Sequence, residues 1–276
     1  MMAKMTLIIR PQPDGDRDVA LLVRYGVPAL ASPSMISTPQ PHESPDPAKF
    51  SGIIITSRNA VDAMTKVGKT NIYNNSDTNA HSNIWAKLPA FVVGSATAAA
   101  ARNAGFSDVF IGTGGGAGLL APIERYFTGK TGKQDYGNPS DLPLFWPSAA
   151  DISFDMVAAL SGYGIAVQRL PVYQMIANDA LDAAITDKID QGAIAAVVAM
   201  SPRSVQIFRK NLDAAGKASS LARMVLIAGS AAIVAAAGGG WQTVYTAGQP
   251  RRNRLLAIAV LLHRRDNSIM PYGDHA

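Results

Sequence analysis

Five short runs of small, hydroxyl-bearing or basic residues are the places in this chain where chemistry can be done. They are Arg10-Pro11, Thr56-Ser57-Arg58-Asn59, Gly94-Ser95-Ala96-Thr97, Ser201-Pro202-Arg203-Ser204 and Gly229-Ser230-Ala231. Each reads as a turn from a short apolar strand into a helical pattern. In open α/β sheets, ligands bind outside the carboxyl ends of the strands, where such turns lie. Helix N-termini there present unpaired backbone N–H groups, well suited to carboxylates or phosphates. Thr56, Ser57, Ser95, Ser201 and Ser230 are also the residue types that cap helices, and capping alone accounts for each of them singly. Taken together, the turns predict an acidic ligand held mostly by main-chain donors. Its binding residues would be Arg10, Thr56, Ser57, Arg58, Gly94, Ser95, Thr97, Ser201, Pro202, Arg203, Gly229, Ser230 and Ala231.

Other chemistries are poorly supplied. With no cysteine, disulfides, thiolate metal sites, iron–sulfur clusters and a cysteine nucleophile are all excluded. His42, His81, His263 and His275 show no ligand spacing on one helix face, so they read as solvated histidines and no metal is expected. Gly68-Lys69-Thr70 and Gly129-Lys130-Thr131 look like the ends of phosphate loops. The glycine that such a motif requires five positions earlier is replaced by Ala63 and Glu124. The run from Gly112 to Ala117 fits a loose dinucleotide pattern, but no acidic residue follows at ribose-binding distance. It reads as a flexible loop or an anion-binding helix start. No nucleophile elbow of the Gly-x-Ser-x-Gly type occurs.

The elements that must position the turns emerge from internal repeats. At an offset of 135, Val92–Gly112 aligns with Ile227–Ala247, matching Gly94, Ser95, Ala96, Gly105 and Val109 to Gly229, Ser230, Ala231, Gly240 and Val244. At an offset of 144, Ile53–Met64 aligns with Val197–Phe208, and Ser57 meets Ser201. At 138, Ala20–Val27 aligns with Ala158–Ile165, and Tyr25 meets Tyr163. Three collinear pairs point to duplication. Each half alternates apolar strands with amphipathic helices, which implies parallel sheets with right-handed helical crossovers. Gly105 and Gly240 are expected to end their helices in the left-handed conformation. The polar stretches 66–89 and 128–143 read as surface loops or insertions. Residues 251–265 form a final helix, flanked by Arg251, Arg252, Arg254, Arg264 and Arg265 as a solvated charged face.

The chain has 276 residues, 48% of them hydrophobic, enough for one large domain or two modest ones and incompatible with wholesale disorder. The net charge of +5 favours an anionic ligand, but no basic stripe interleaved with aromatics suggests nucleic acid. Residues 224–250 contain no Asp, Glu, Lys or Arg. Their Ala and Gly content and the break at Gly238-Gly239-Gly240 argue for strand, turn and helix rather than a membrane span. The N-terminus shows no secretory pattern. A cytoplasmic, monomeric protein is expected.

At Ile53-Ile54-Ile55-Thr56-Ser57-Arg58-Asn59-Ala60-Val61 the sequence resembles the uroporphyrinogen-III synthase family. The resemblance continues through Val93-Gly94-Ser95-Ala96-Thr97-Ala98, Leu170-Pro171-Val172-Tyr173 and Ser201-Pro202-Arg203-Ser204-Val205, from about Leu7 to Leu262. It implies two flavodoxin-like α/β lobes with parallel sheets joined by a two-stranded linker, with the active site in the cleft between them. Lobe one would be residues 1–36 plus 176–265 and lobe two 40–171, with linkers at 37–39 and 172–175 and a tail at 266–276. Tyr25 and Tyr163 would be structural. Tyr173, whose repeat position holds Met35, would be the general acid.

The implied reaction needs no cofactor: hydroxymethylbilane loses its hydroxyl and closes to uroporphyrinogen III, with ring D inverted through a spirocyclic intermediate. Such an enzyme steers geometry more than it supplies a base, metal or nucleophile. Two departures from the family pattern stand out: Ala232 where a threonine is frequent, and a segment 147–156 without the arginine often found there. A non-catalytic two-lobe protein that binds small anions is the alternative that explains duplication and polar turns equally well.

Overall fold

Runs such as Ile53-Ile54-Ile55 and Val197-Val198 carry no alternation of polar and apolar residues, the pattern of strands covered on both faces. The computed structural model of the chain describes residues 4–43, 45–66, 84–127, 142–248 and 251–268. The Gly-Lys-Thr runs at 68–70 and 129–131, His81, His275 and most of the polar stretches 66–89 and 128–143 lie outside them.

In chain order the elements are β1 (Met5–Ile8), α1 (Asp14–Arg24), β2 (Ala29–Ala31), β3 (Met35–Pro39), β4 (Gly52–Ile55), α2 (Arg58–Lys66), β5 (Ala90–Val93) and α3 (Gly94–Asn103). Next come β6 (Val109–Gly112), α4 (Leu120–Phe127), β7 (Leu144–Ala149), α5 (Met156–Ser161), β8 (Val167–Ala177) and α6 (Ala183–Asp190). The last are β9 (Ile194–Ala199), α7 (Pro202–Ala214), β10 (Val225–Ala228), α8 (Ala231–Ala237), β11 (Thr243–Thr246) and α9 (Arg252–Ser268). The chain divides into two compact units, Met1–Ile36 with Ile176–Ala276, and Ser37–Met175.

The first unit holds a parallel sheet in the order β11-β10-β9-β1-β2. Leu7, Val197 and Leu226 stand in register and pack on one face with Val205, Phe208 and Ile233. Ile8, Val198 and Ile227 point to the other face, against Leu22, Leu255, Leu256 and Ala259 of α1 and α9. In the second unit β8-β7-β4-β5-β6 are parallel, with β3 beside β8. Bonds from Asn178 N to Ser34 O and from Gln40 N to Val172 O, each 2.9 Å, make the β3–β8 pair antiparallel.

Numbered from β1, the first unit has the flavodoxin-like order 2-1-3-4-5. The second has the same order when counting starts at β7, so it is a circular permutation of the first. The aligned repeats fall on equivalent elements: α1 with α5, β4–α2 with β9–α7, and β5–α3–β6 with β10–α8–β11.

Several sequence expectations need correction. Trp85, inside a stretch read as a surface loop, is 1% exposed and packs with Phe50 and Phe145 at centroid distances of 5.7 and 4.8 Å. Tyr25 and Tyr163 close equivalent helices but are 58% and 48% exposed, so neither supports a core. The last helix runs to Ser268. Arg252 is not merely part of a solvated face: it donates to Asp18, which is fully buried on α1. Asp18 also lies 3.5 Å from Arg10 Nη1, so one carboxylate ties α1 to α9 and to the end of β1. Replacing it leaves two guanidinium groups facing a neutral amide. Asp18→Asn should therefore lower unfolding free energy by about 2 kcal/mol. In urea the midpoint should fall with the slope unchanged, and the loss should shrink in an Arg252→Met background.

Candidate functional site

Apart from β3, the strands of each sheet run parallel, so their carboxyl ends share one rim, and the turns selected from the sequence divide into two sets by unit. In the second unit β8, β7, β4 and β5 bring together Tyr173, Ser148–Ala149, Thr56-Ser57-Arg58 and Gly94-Ser95-Thr97. In the first, β1, β9 and β10 bring together Arg10, Ser201-Pro202-Arg203 and Gly229-Ser230-Ala231. Strand order reverses between β7 and β4, and between β1 and β9. Such switch points are where α/β sheets leave room for a ligand.

Tyr173 is 5% exposed and belongs to the core cluster that also holds Phe145, Val172 and Trp85. Its carbonyl accepts from Ala150 N at 2.8 Å, and its hydroxyl is hydrogen-bonded to the Ser57 side chain. Burial pushes the phenol above its ordinary value of 10.0, and the Ser57 bond opposes that rise. At neutral pH the residue is a neutral donor at the switch point. Ser57 Oγ also accepts from Asn59 N at 3.2 Å, so it caps α2 as well. Thr56 Oγ1 accepts from Trp146 Nε1 at 3.4 Å. Arg58 is 6% exposed on the first turn of α2. At the next turn, Gly94 takes φ +74°, a conformation that costs other residues a Cβ clash. Ser95 is exposed there and Thr97 is buried.

The first unit offers a different surface. Arg10 is committed to acids, 2.5 Å from Asp14 and 3.5 Å from Asp18. Burial lowers its pKa, and the charge of Asp18 raises it back in part. Ser201 caps α7, accepting from Ser204 N at 3.4 Å, with Pro202 at the first helical position and Pro202 and Arg203 exposed. Gly229 is buried, its N–H donating to Ala199 O at 3.1 Å. Ser230 precedes α8 without a side-chain bond to it, and Ala231 and Ala232 are exposed. Capping thus accounts for Ser57 and Ser201, and not for Ser95 or Ser230.

Three residues that sequence reasoning passed over belong to the second rim. Ser148 is fully buried, Trp146 is 2% exposed, and Arg169 of β8 donates to Ser148 Oγ at 2.9 Å. The segment 147–156 has no arginine of its own, yet a guanidinium rests on it from the neighbouring strand. The one signal for it was a charge inside the apolar run before Tyr173. The run from Gly112 to Ala117, expected to be a flexible loop or an anion-binding helix start, packs closely against itself and Gly118. A Cβ on Gly118 would sit 1.6 Å from Thr113 O, and one on Gly112 would sit 2.5 Å from Gly118 O. Gly112 and Gly118 serve that self-contact, whereas Gly114 and Gly115 take positive φ and Gly116 sits against Phe154. Among the described residues, no group of three or more His, Asp or Glu is placed to hold a metal, and no helix is long and apolar enough to cross a membrane.

The family model for uroporphyrinogen-III synthase HemD matches residues 16–257. Among solved structures, the uroporphyrinogen-III synthetase of Helicobacter pylori 26695 is similar over 94% of this chain and 99% of its own, with TM-score 0.58 and 15% identity. A mutant uroporphyrinogen III synthase of the extremely thermophilic bacterium Thermus thermophilus aligns over 95% and 100%, with TM-score 0.48 and 16% identity. No curated protein sequence matches the chain. The Helicobacter likeness shows that the two-sheet α/β fold is shared.

The raised phenol has a thermodynamic consequence. Its folded-state pKa lies above the unfolded one, so the stability it contributes is complete below about pH 10 and is lost as pH rises through the folded value. Tyr173→Phe should flatten the alkaline fall of unfolding free energy relative to the unsubstituted chain. Urea denaturation between pH 8 and about 11 checks this; parallel curves would contradict it.

Proposed function

The chain belongs to the uroporphyrinogen-III synthase family, cyclising lyases of tetrapyrrole biosynthesis, and we propose that it closes hydroxymethylbilane to uroporphyrinogen III with ring D inverted. The observation that carries this reading is the family match over residues 16–257. The rim residues support it, being neutral donors and cations suited to an acidic linear tetrapyrrole.

In this proposal Tyr173 donates to the departing hydroxyl. As that group leaves as water, the carbon framework becomes an azafulvene cation stabilised by its pyrrole nitrogen. Tyrosinate is disfavoured in this packed setting, with Ser57 as its partner. The forming cation offsets that cost, because the two charges develop together in a region of low dielectric. The substituted carbon of ring D then attacks, giving the spirocyclic intermediate. Fragmentation and reclosure at the free carbon release a proton that returns to the phenolate. Water exclusion and orientation carry the rest, since the same substrate closes unaided to the type I isomer. Its carboxylates are taken by Thr56, Ser57, Arg58, Gly94, Ser95 and Thr97 on one rim. In the first unit the proposed carboxylate donors are Ser201, Arg203, Ser230 and Ala231, with Pro202 and Gly229 shaping the turns and Arg10 held by Asp14 and Asp18. The proposed setting is the cytoplasm, with no added cofactor.

Purified protein added to freshly generated hydroxymethylbilane, without metal or nucleotide, should give type III isomer above the spontaneous background in chromatographic analysis. Type I alone from folded protein would defeat the proposal and leave an anion-binding protein. Tyr173→Phe should lower kcat by about 100-fold with KM within about twofold, the signature of a proton donor that acts on the reacting atoms. An unchanged kcat would remove that role.

A further inference from the structure

Arg169 is the cation of the second rim to which the proposed reaction assigns no task. It stands on β8 four residues before Tyr173 and donates through Nε to Ser148 Oγ at 2.9 Å. Through Nη2 it donates to Ala149 O at 3.0 Å and to Ala150 O at 2.7 Å. Its Cζ lies 5.7 Å from the centroid of the Trp146 ring. These contacts occupy one edge and one face of the guanidinium and use three of its five N–H groups. All the acceptors are neutral. Among the described residues no carboxylate pairs with it, and Nη1 makes no hydrogen bond.

We propose that Arg169 binds a carboxylate of the ligand through Nη1. Three hydrogen bonds and the indole face fix the planar group before any ligand arrives, so most of the ordering cost of an arginine side chain is already met. The half-buried position weakens solvent screening, and carbonyl dipoles solvate the charge without cancelling it. An anion gains more from such a cation than a neutral group does. Arg10, the cation at the end of β1, lacks this property, because Asp14 and Asp18 already hold it. Trp146 also links the two halves of the rim: its face lies beside Arg169 and its Nε1 reaches Thr56. A carboxylate on Nη1 would therefore lie near the switch point where Thr56 and Ser57 stand. The inference rests on the functional reading above and names one group, an acetate or propionate side chain of the tetrapyrrole.

Steady-state kinetics with hydroxymethylbilane test it. Arg169→Met should raise KM by about tenfold, the loss expected for one charge-assisted hydrogen bond, with kcat within about twofold. Arg169→Lys should recover part of that loss, since it restores the charge without the fork. A purely structural role would instead lower kcat and thermal stability together and leave KM in place. Should the methionine variant fail to fold, the unsubstituted protein decides. Phenylglyoxal modification, mapped by peptide mass spectrometry, should reach Arg169 in the free protein and be suppressed by uroporphyrinogen III. An active protein with unchanged KM in Arg169→Met, or with Arg169 modified equally in both states, would overturn this inference alone. Type I product alone from the unsubstituted protein would overturn the functional reading and this inference with it.

Discussion

Burying a phenol is costly unless its hydroxyl finds a partner, and for Tyr173 that partner is Ser57. The bond does more than satisfy one polar atom. Ser57 follows β4 and caps α2, Tyr173 lies on β8, and the carbonyl of Tyr173 accepts from Ala150 just beyond β7. One residue therefore joins three segments on both sides of the switch point. Asn59 reinforces the link by reaching Met175 Sδ at 3.4 Å. The ladder between β7 and β8 slips at Ser148–Ala149, and Tyr173 pairs with Ala149 just past the slip. Without the Ser57 bond, the same ring in the same core would leave its hydroxyl unsatisfied.

The apolar strands explain why polar chemistry is confined to such ends. Ile53 and Ile55 face one core cluster while Ile54 faces another, and Leu7 and Ile8 divide in the same way in the other unit. A sheet covered on both faces has no wet side on which to place a serine or an arginine. This is also why so much of the fold was legible beforehand. β-Branched runs ending in Thr-Ser or Gly-Ser announce a strand passing into a helix, and both Ser57 and Ser201 cap their helices as their repeat positions suggested. Gly105 and Gly240 take φ +98° and +93° at matched points of the repeat.

What stayed illegible depends on contacts between strands far apart in sequence. Nothing local to Ser148 marks it as a buried acceptor for a side chain 21 residues away. Trp85 sits among polar neighbours, and only the aromatic cluster with Phe50 and Phe145 shows it to be core. Arg252 is one of several arginines flanking an apolar helix, and only its contact with Asp18, 234 positions earlier, sets it apart. The permutation was hidden for a related reason. Matching segments revealed the duplication, but they cannot say which strand lies beside which.

Duplication does not make the two rims alike, and the differences follow from what each end must satisfy. At the repeat position of Tyr173 the first unit has Met35, buried and without a hydroxyl to place. Thr97 is buried at the start of α3, whereas the matching Ala232 is exposed on α8, so a hydroxyl lost there leaves no internal partner unsatisfied. Charge divides in the same way. The net charge of +5 measures an average attraction for anions, but a cation binds a ligand only where its field is not already spent. Arg10 gives its field to Asp14 and Asp18 and so stabilises the first unit. Arg169 is held by carbonyls and a hydroxyl, which fix its direction and leave its charge intact. Identical side-chain chemistry at two strand ends is thus structural in one case and available for recognition in the other, and the neighbours decide which.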